Sequence, residues 1–265
     1  DLHEDVQYAA DMTGPMFEKL VTESIKMFVD MCGISKANST AEYAGLEYCI
    51  REDLKFKAKR MLAILNPVKL IIDNYPEGET EYLEIENNKE VPEMGTRKIP
   101  FGKELYIERE DFMEEPPKKY FRLFPGNEVR LMNAYFVTCT GCDKDENGNV
   151  ITVHCTYDPA TKSGSGFEGR KVKGTIHWVS AKEAVTAEVR LYENIIDEEK
   201  GVYNEDGSLN LNPNSIKVIK DAKLEPELGN AAPYDKFQFV RNGFFCVDYK
   251  DSKEGAPVFN RNVSL

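Results

Sequence analysis

The first third of the chain carries its apolar residues at helical spacing. Phe17, Leu20, Val21, Ile25, Phe28 and Val29 recur at intervals that place them on one helix face. Gly33 follows near the expected end, where a residue free to take positive φ closes a last turn. A second helix is expected to start at Ser39, with Glu42 three residues on as a reciprocal N-terminal cap. Its apolar face runs through Tyr43, Leu46, Ile50, Leu54, Ala58, Met61 and Leu65, and Pro67 ends it because proline cannot donate to the helical ladder.

Beyond Pro67 the period changes from helical to alternating. Residues 67–73, 80–86 and 104–108 read as short strands. A longer strand is predicted over 127–139. Val129, Leu131, Asn133, Tyr135 and Val137 fall on one face, and Arg130, Met132, Ala134 and Phe136 on the other. Asn147-Gly148 offers a turn that accepts positive φ, and 149–157 returns. A second hairpin pairs 236–241 with 244–250 across Asn242-Gly243. Many short strands between turn residues predict a mainly β fold of barrels behind a small α-helical subdomain. Glu114-Glu115-Pro116-Pro117 reads as a separator between two barrels, 163–166 as a flexible Ser/Gly loop, and 195–215 as a long polar excursion.

Composition narrows the possibilities only modestly. The 265 residues allow one large domain or two to three small ones, with an ordinary 41% hydrophobic and 30% charged content. No apolar run is long enough to span a bilayer. The acidic start, Asp1-Leu2-His3-Glu4-Asp5, is unlike a signal peptide, so reduced thiols and a cytoplasmic setting are expected. It also lacks Met, as expected for a piece of a longer chain. A formal charge of −12 opposes non-specific nucleic-acid binding, so any RNA contact must rest on local basic clusters.

Catalytic motifs are missing. No Gly-rich phosphate loop, His-Glu-x-x-His or Gly-x-Ser-x-Gly occurs, and His3, His154 and His177 are scattered. Cys139-x-x-Cys142 with His154-Cys155 could approach a zinc site across the hairpin. Adjacent strand residues point to opposite faces, however, which favours plain strand thiols, and no metal is expected. Lys55, Lys57, Lys59 and Arg60 read as a basic helix end, which suits the helix dipole. Lys118-Lys119-Tyr120-Phe121-Arg122 mixes cations with rings, as bases and phosphates require; a solvated edge rich in lysine reads the same way. Arg170-Lys171-x-Lys173 has the same two readings.

The stretch 173–180, Lys-Gly-Thr-Ile-His-Trp-Val-Ser, holds the only Trp in what otherwise reads as a plain strand. With its flanks it resembles the signature of glutaminyl-tRNA synthetases. Collinear blocks extend the resemblance to bacterial-type members from about residue 34 onward: Leu46 to Leu54, Asn66 to Leu70, Pro92 to Arg97, Glu128 to Tyr135, Cys155 to Asp158 and Pro257 to Arg261. Residues 1–20 do not follow that pattern.

The resemblance implies two anticodon-binding β-barrels behind a helical connector. The connector would cover 1–65, a discontinuous proximal barrel 66–114 plus 186–265, and a distal barrel 115–185. It implies that Arg60, Gln238 and Arg241 contact the middle anticodon base, Arg130 the first and Arg122 the third, with Lys36, Lys119 and Asn133 in support. Met132 and Lys119 depart from the family pattern, where Arg and Gln are expected. No catalytic residue is expected here. An upstream Rossmann-type catalytic domain of the same polypeptide would carry the ATP motifs, using ATP and Mg²⁺, so this stretch alone should not activate glutamine. The implied partner is tRNA(Gln), with no DNA or membrane and a monomeric state. His177 and Trp178 are expected to hold the junction of the barrels rather than do chemistry. Two other readings stay open: the related barrels of archaeal and eukaryotic glutamyl-tRNA synthetases, and a stand-alone module that binds RNA or protein.

Overall fold

The structure is a computed structural model that describes residues 22–33, 43–197 and 199–265. It is mostly β, with two seven-stranded sheets that approach barrels and a small helical part.

The α-helices among the described residues are Thr22–Cys32 and Tyr43–Lys55. Gly33 sits at φ 71° and its N–H returns to Val29 O at 2.9 Å, closing the first helix as its sequence implied. Gly45 lets the helices approach, since a Cβ there would lie 2.8 Å from the Met31 side chain. Ile50, Leu54 and Ala58 pack with Phe244, Cys246 and Val263, which seats the helices on the first sheet. The proposed cap at Ser39 and Glu42 lies outside the described residues.

The second helix ends ten residues earlier than its apolar spacing predicts. Asn88, buried, donates its side-chain amide to Lys55 O (2.8 Å) and Ala58 O (3.1 Å), which satisfies the last carbonyls. From Lys59 the chain is extended, as strands Lys59–Met61 and Ala63–Ile64. Residues 61–65 are all buried but face two ways. Met61, Ala63 and Leu65 enter one core, and Leu62 and Ile64 the other. A fully buried run of this kind looks like a helix face when only its spacing is counted.

The first sheet runs in the order Lys59–Met61, Lys236–Phe239, Gly243–Val247, Val258–Val263, Val185–Tyr192, Ile216–Leu224, Ala63–Ile64. Its core centres on Phe237, Phe239, Phe245 and Phe259, with Phe239 stacked on Phe245 at 4.3 Å. The second sheet runs Thr175–Ile176, Glu128–Leu131, Phe136–Lys144, Val150–Asp158, Pro67–Ile72, Glu104–Glu108, Val179–Ser180. A separate hairpin, Thr80–Glu86 with Thr96–Gly102, packs Leu83, Ile85, Ile99 and Phe101 into the same core. The expected division between barrels at 114/115 does not coincide with a division between sheets. Pro67–Ile72 pairs in parallel with Val150–Asp158, a contact between distant segments that periodicity does not reveal.

The expected strand over 127–139 is two strands. Glu128–Leu131 turns back at Met132 and Asn133 onto Phe136–Lys144, with Asn133 at φ 57°. Asparagine tolerates this left-handed conformation better than most residues. The segment 173–180 is likewise not one strand. Thr175–Ile176 occupies one edge of the second sheet and Val179–Ser180 the other, so His177 and Trp178 span the closure. Gly174 is required at its position, because a Cβ would sit 1.8 Å from Phe121 O. The two hairpins at Gly148 and Gly243 form where Asn-Gly signals them.

The Cys139–Cys155 pair faces across its hairpin, both residues buried. A hydrogen bond between them holds the Cys139 thiol below its usual value and pushes Cys155 above. His154 instead faces two carboxylates, Nδ1 on Asp73 and Nε2 on Asp143, each at 2.9 Å.

Candidate nucleic-acid interface

Four of the five implied base-reading residues form a connected group. Arg60 stands in register with Gln238 across the parallel pairing of Lys59–Met61 and Lys236–Phe239. Arg241 follows in the turn that leaves Phe239. Its guanidinium grips Asp111 end-on, Nη1 to Oδ2 at 2.7 Å and Nη2 to Oδ1 at 2.9 Å. Arg122 reaches the same carboxylate, Nη1 to Oδ1 at 3.1 Å. Asp111 is fully buried, whereas the Arg241 and Arg122 side chains are 31% and 42% exposed. Hydrogen bonding to Asp111 raises the Arg241 guanidinium above its already high value.

His177 completes the Arg241 seat. Its Nε2–H donates to Ala63 O at 2.9 Å, which leaves Nδ1 to accept from Arg241 Nη1 at 3.3 Å. Glu108 lies beside it, accepting from Leu65 N and Asn66 N at 2.8 Å each. Burial would push this carboxyl up, but His177 and the two backbone N–H groups outweigh that and hold it below the usual carboxylate value. A cleft of about 440 Å³ opens here, lined by Arg241, Asn242, His177, Glu110 and Lys217 among others.

Arg60 bonds Glu90 at 2.6 Å, and its backbone carbonyl accepts from Arg97. Arg97 forms a buried two-pronged pair with Glu225, at 2.5 and 2.8 Å, and Glu225 in turn accepts from Leu62 N. The basic run 55–60 is therefore not a bare helix end. Lys55 pairs with Glu90, Lys57 with Asp53 and Lys59 with Glu227.

Arg130 stands apart from this group. Alone of the four arginines it has no ion pair among the described residues. It donates to Ser163 Oγ at 2.9 Å and lies 4.3 Å over the Phe136 ring. Two clefts of about 580 and 610 Å³ share it. Lys89, Asn133, Lys162 and Phe167 line the first, and Phe136, Phe167, Arg170 and Lys171 the second. Lys119 is exposed, without an ion pair among the described residues, and Lys36 lies outside them.

Backbone strain marks the same residues. Only four described non-glycine residues have φ in the left-handed region: Lys119, Asn133, Tyr234 and Arg241. Three of them belong to the implied RNA-contact set. Such conformations persist where surrounding structure enforces them, often at functional sites.

Two family models, both described as "tRNA synthetases class I (E and Q), anti-codon binding domain", match residues 58–158 and 175–248. The chain belongs to this family of anticodon-binding domains. The matches take in all of the second sheet, the first sheet except Val258–Val263, and the Arg60, Gln238, Arg241, Arg122 and Arg130 positions. Curated relatives agree. The chain is 54% identical over 247 residues to glutamine–tRNA ligase of Clostridium perfringens, 52% over 245 residues to that of Clostridium kluyveri, and 48% over 242 residues to that of Bradyrhizobium diazoefficiens. These alignments cover 91–92% of the chain but only 43–44% of each relative, so it spans less than half their length.

Sequence spacing missed Asp111. It sits in a charged run, Arg109-Glu110-Asp111, in which nothing distinguishes the buried carboxylate from its exposed neighbours. Phe136 and Phe167 as ring supports for Arg130 and Arg170 were also not evident, because their positions depend on the turn at Asn133.

Proposed function

We propose that this chain binds the anticodon loop of tRNA(Gln) and serves a full-length glutamine–tRNA ligase. The observation that carries the reading is the pairing of Arg60 with Gln238 in strand register and of Arg241 with Arg122 on one buried carboxylate, within a family of anticodon-binding domains. Unstacked anticodon bases expose their Watson–Crick edges, and an arginine fork recognises such an edge while its plane can also stack.

In this reading Arg60, Gln238 and Arg241 contact the middle base, Arg130 the first and Arg122 the third. Asn133 and Lys119 support them, and Lys36 would add a contact from outside the described residues. Gln238 is half-buried and has no side-chain hydrogen bond among the described residues, which leaves its amide to a base. Arg130 on Phe136 offers a cation beside open cleft volume, where a base can enter and stack. The acidic background suppresses loose binding and leaves specificity to these groups.

Glutamine activation with ATP and Mg²⁺ belongs to the remainder of such a ligase. Among the described residues no group of three or more His, Cys, Asp or Glu is placed to hold a metal ion. The proposed setting is the cytoplasm and the proposed state a monomer.

Filter binding of tRNA(Gln) against an anticodon-substituted transcript tests the reading. Preference for the cognate tRNA is expected, and Arg241→Ala should weaken cognate binding by about 1–3 kcal/mol. Equal affinity of the wild-type protein for both transcripts would refute it.

A further inference from the structure

Arg241 and Arg122 come from distant parts of the chain yet close on one carboxylate. Arg241 has five N–H donors. Two go to Asp111 and a third, from Nη1, to His177 Nδ1. Among the described residues Nε–H and the outer Nη2–H have no partner, and they share one edge of the planar group. Arg122 repeats the arrangement. Its Nη1 serves Asp111 Oδ1 at 3.1 Å and Glu110 O at 3.3 Å, which leaves the Nε/Nη2 edge open among the described residues. Each arginine therefore presents a side-on fork, the donor pattern that pairs with two acceptors on a base edge.

The shared anchor has no route to solvent. Asp111 is fully buried, and its own backbone carbonyl accepts from Leu123 N at 2.9 Å, which fixes the neighbour of Arg122. Two guanidinium groups this close repel one another unless the carboxylate stands between them. A base that pulls on one fork therefore shifts the charge balance felt by the other.

We propose that Asp111 is a positioning residue that couples recognition of the middle and third anticodon bases through Arg241 and Arg122. The inference rests on the anticodon-binding reading above, and it assigns a role to a residue that does not itself touch RNA.

The test uses the full chain and four tRNA(Gln) transcripts: cognate, middle base changed, third base changed, and both changed. For the wild-type protein each single change is expected to cost on the order of tenfold or more in affinity. The double change should cost clearly less than the product of the two, the mark of coupled sites. In Asp111→Asn both single penalties should shrink together and the remainder should multiply. A purely structural role would lower the thermal midpoint without altering the ratio between cognate and substituted tRNA. Arg122→Met, at an exposed side chain, provides a second variant should Asp111→Asn fail to fold. It should lose the third-base penalty, and with it the coupling, and keep only the reduced middle-base penalty that the wild-type protein shows when the third base is already changed. The proposal is overturned if Asp111→Asn keeps both penalties or loses only one. Coupling that survives in Arg122→Met overturns it as well. A wild-type protein indifferent to either base change would instead overturn the anticodon reading.

Discussion

Trp178→Ala isolates what the closure of the second sheet contributes. The indole is fully buried and meets Phe101 edge to face at 5.0 Å, while its Nε1–H donates to Met132 O at 3.0 Å. Truncating a buried Trp to Ala costs about 3–5 kcal/mol through lost transfer energy and the cavity left behind. The orphaned Met132 carbonyl falls within that total. A folded chain of this kind holds about 5–15 kcal/mol in all, so the loss is a large share. With a urea slope near the upper end of the usual range, about 3 kcal/mol per molar, the midpoint should fall by roughly 1–2 M. Because the variant removes the only tryptophan, unfolding is followed by far-UV circular dichroism. Trp178→Phe separates the two contributions. It keeps a ring against Phe101 but leaves the carbonyl unpaired, at a cost of about 1–3 kcal/mol. An alanine variant that unfolds at the wild-type urea concentration would refute the closure argument. A phenylalanine variant as stable as wild type would refute the role of the hydrogen bond. Since Met132 belongs to the turn that carries Asn133, the phenylalanine variant should also disturb the cleft around Arg130.

Three further outcomes follow from charges and close contacts. Arg97→Met leaves buried Glu225 without its partner and should destabilise by about 3–5 kcal/mol, with much of the loss recovered in Arg97→Met/Glu225→Leu; no recovery in a urea melt would show that the pair matters for more than charge balance. His154, bonded to Asp73 and Asp143, has its pKa raised above 6.5 by those hydrogen bonds. Its stabilising contribution is therefore present in full below 6.5 and is lost as pH rises through the folded-state value; an NMR titration of its ring protons with a midpoint at or below 6.5 would rule this out, and Asp73→Asn should lower the midpoint. Gly174→Ala places a methyl on Phe121 O and should cost at least about 1–3 kcal/mol by thermal melt, so a variant with an unchanged midpoint would mean that the Phe121 loop yields freely.

Much of the local structure was legible because local chemistry set it. Asn147-Gly148 and Asn242-Gly243 turn where their φ tolerance allows, and Thr80–Glu86 and Glu104–Glu108 alternate as half-buried strands do. What stayed hidden was decided at long range. Helical spacing through Leu65 could not anticipate that Asn88 would cap the helix at Lys55, or that two cores would compete for residues 61–65. Asn133 looked like one face of a long strand because its neighbours alternate; only its positive φ reveals the turn. For the interface, the family resemblance supplied the arginines, and the fold supplied their anchors. Asp111 and His177 act through burial and hydrogen bonding, which leave no spacing signature in the chain.

Residues 61–65 set a limit on how this molecule can come apart. Leu62 is held by Glu225 from the first sheet's side and Leu65 by Glu108 from the second's, while Ala63 O receives His177. Pulling the strip from either core removes apolar groups from both. Unfolding should therefore proceed as a single cooperative transition rather than barrel by barrel. Cutting the chain between the sheets would yield two halves that each expose a face meant for the same five residues. Disorder at one barrel is thereby carried into the other, and a tRNA that steadies either one would steady both.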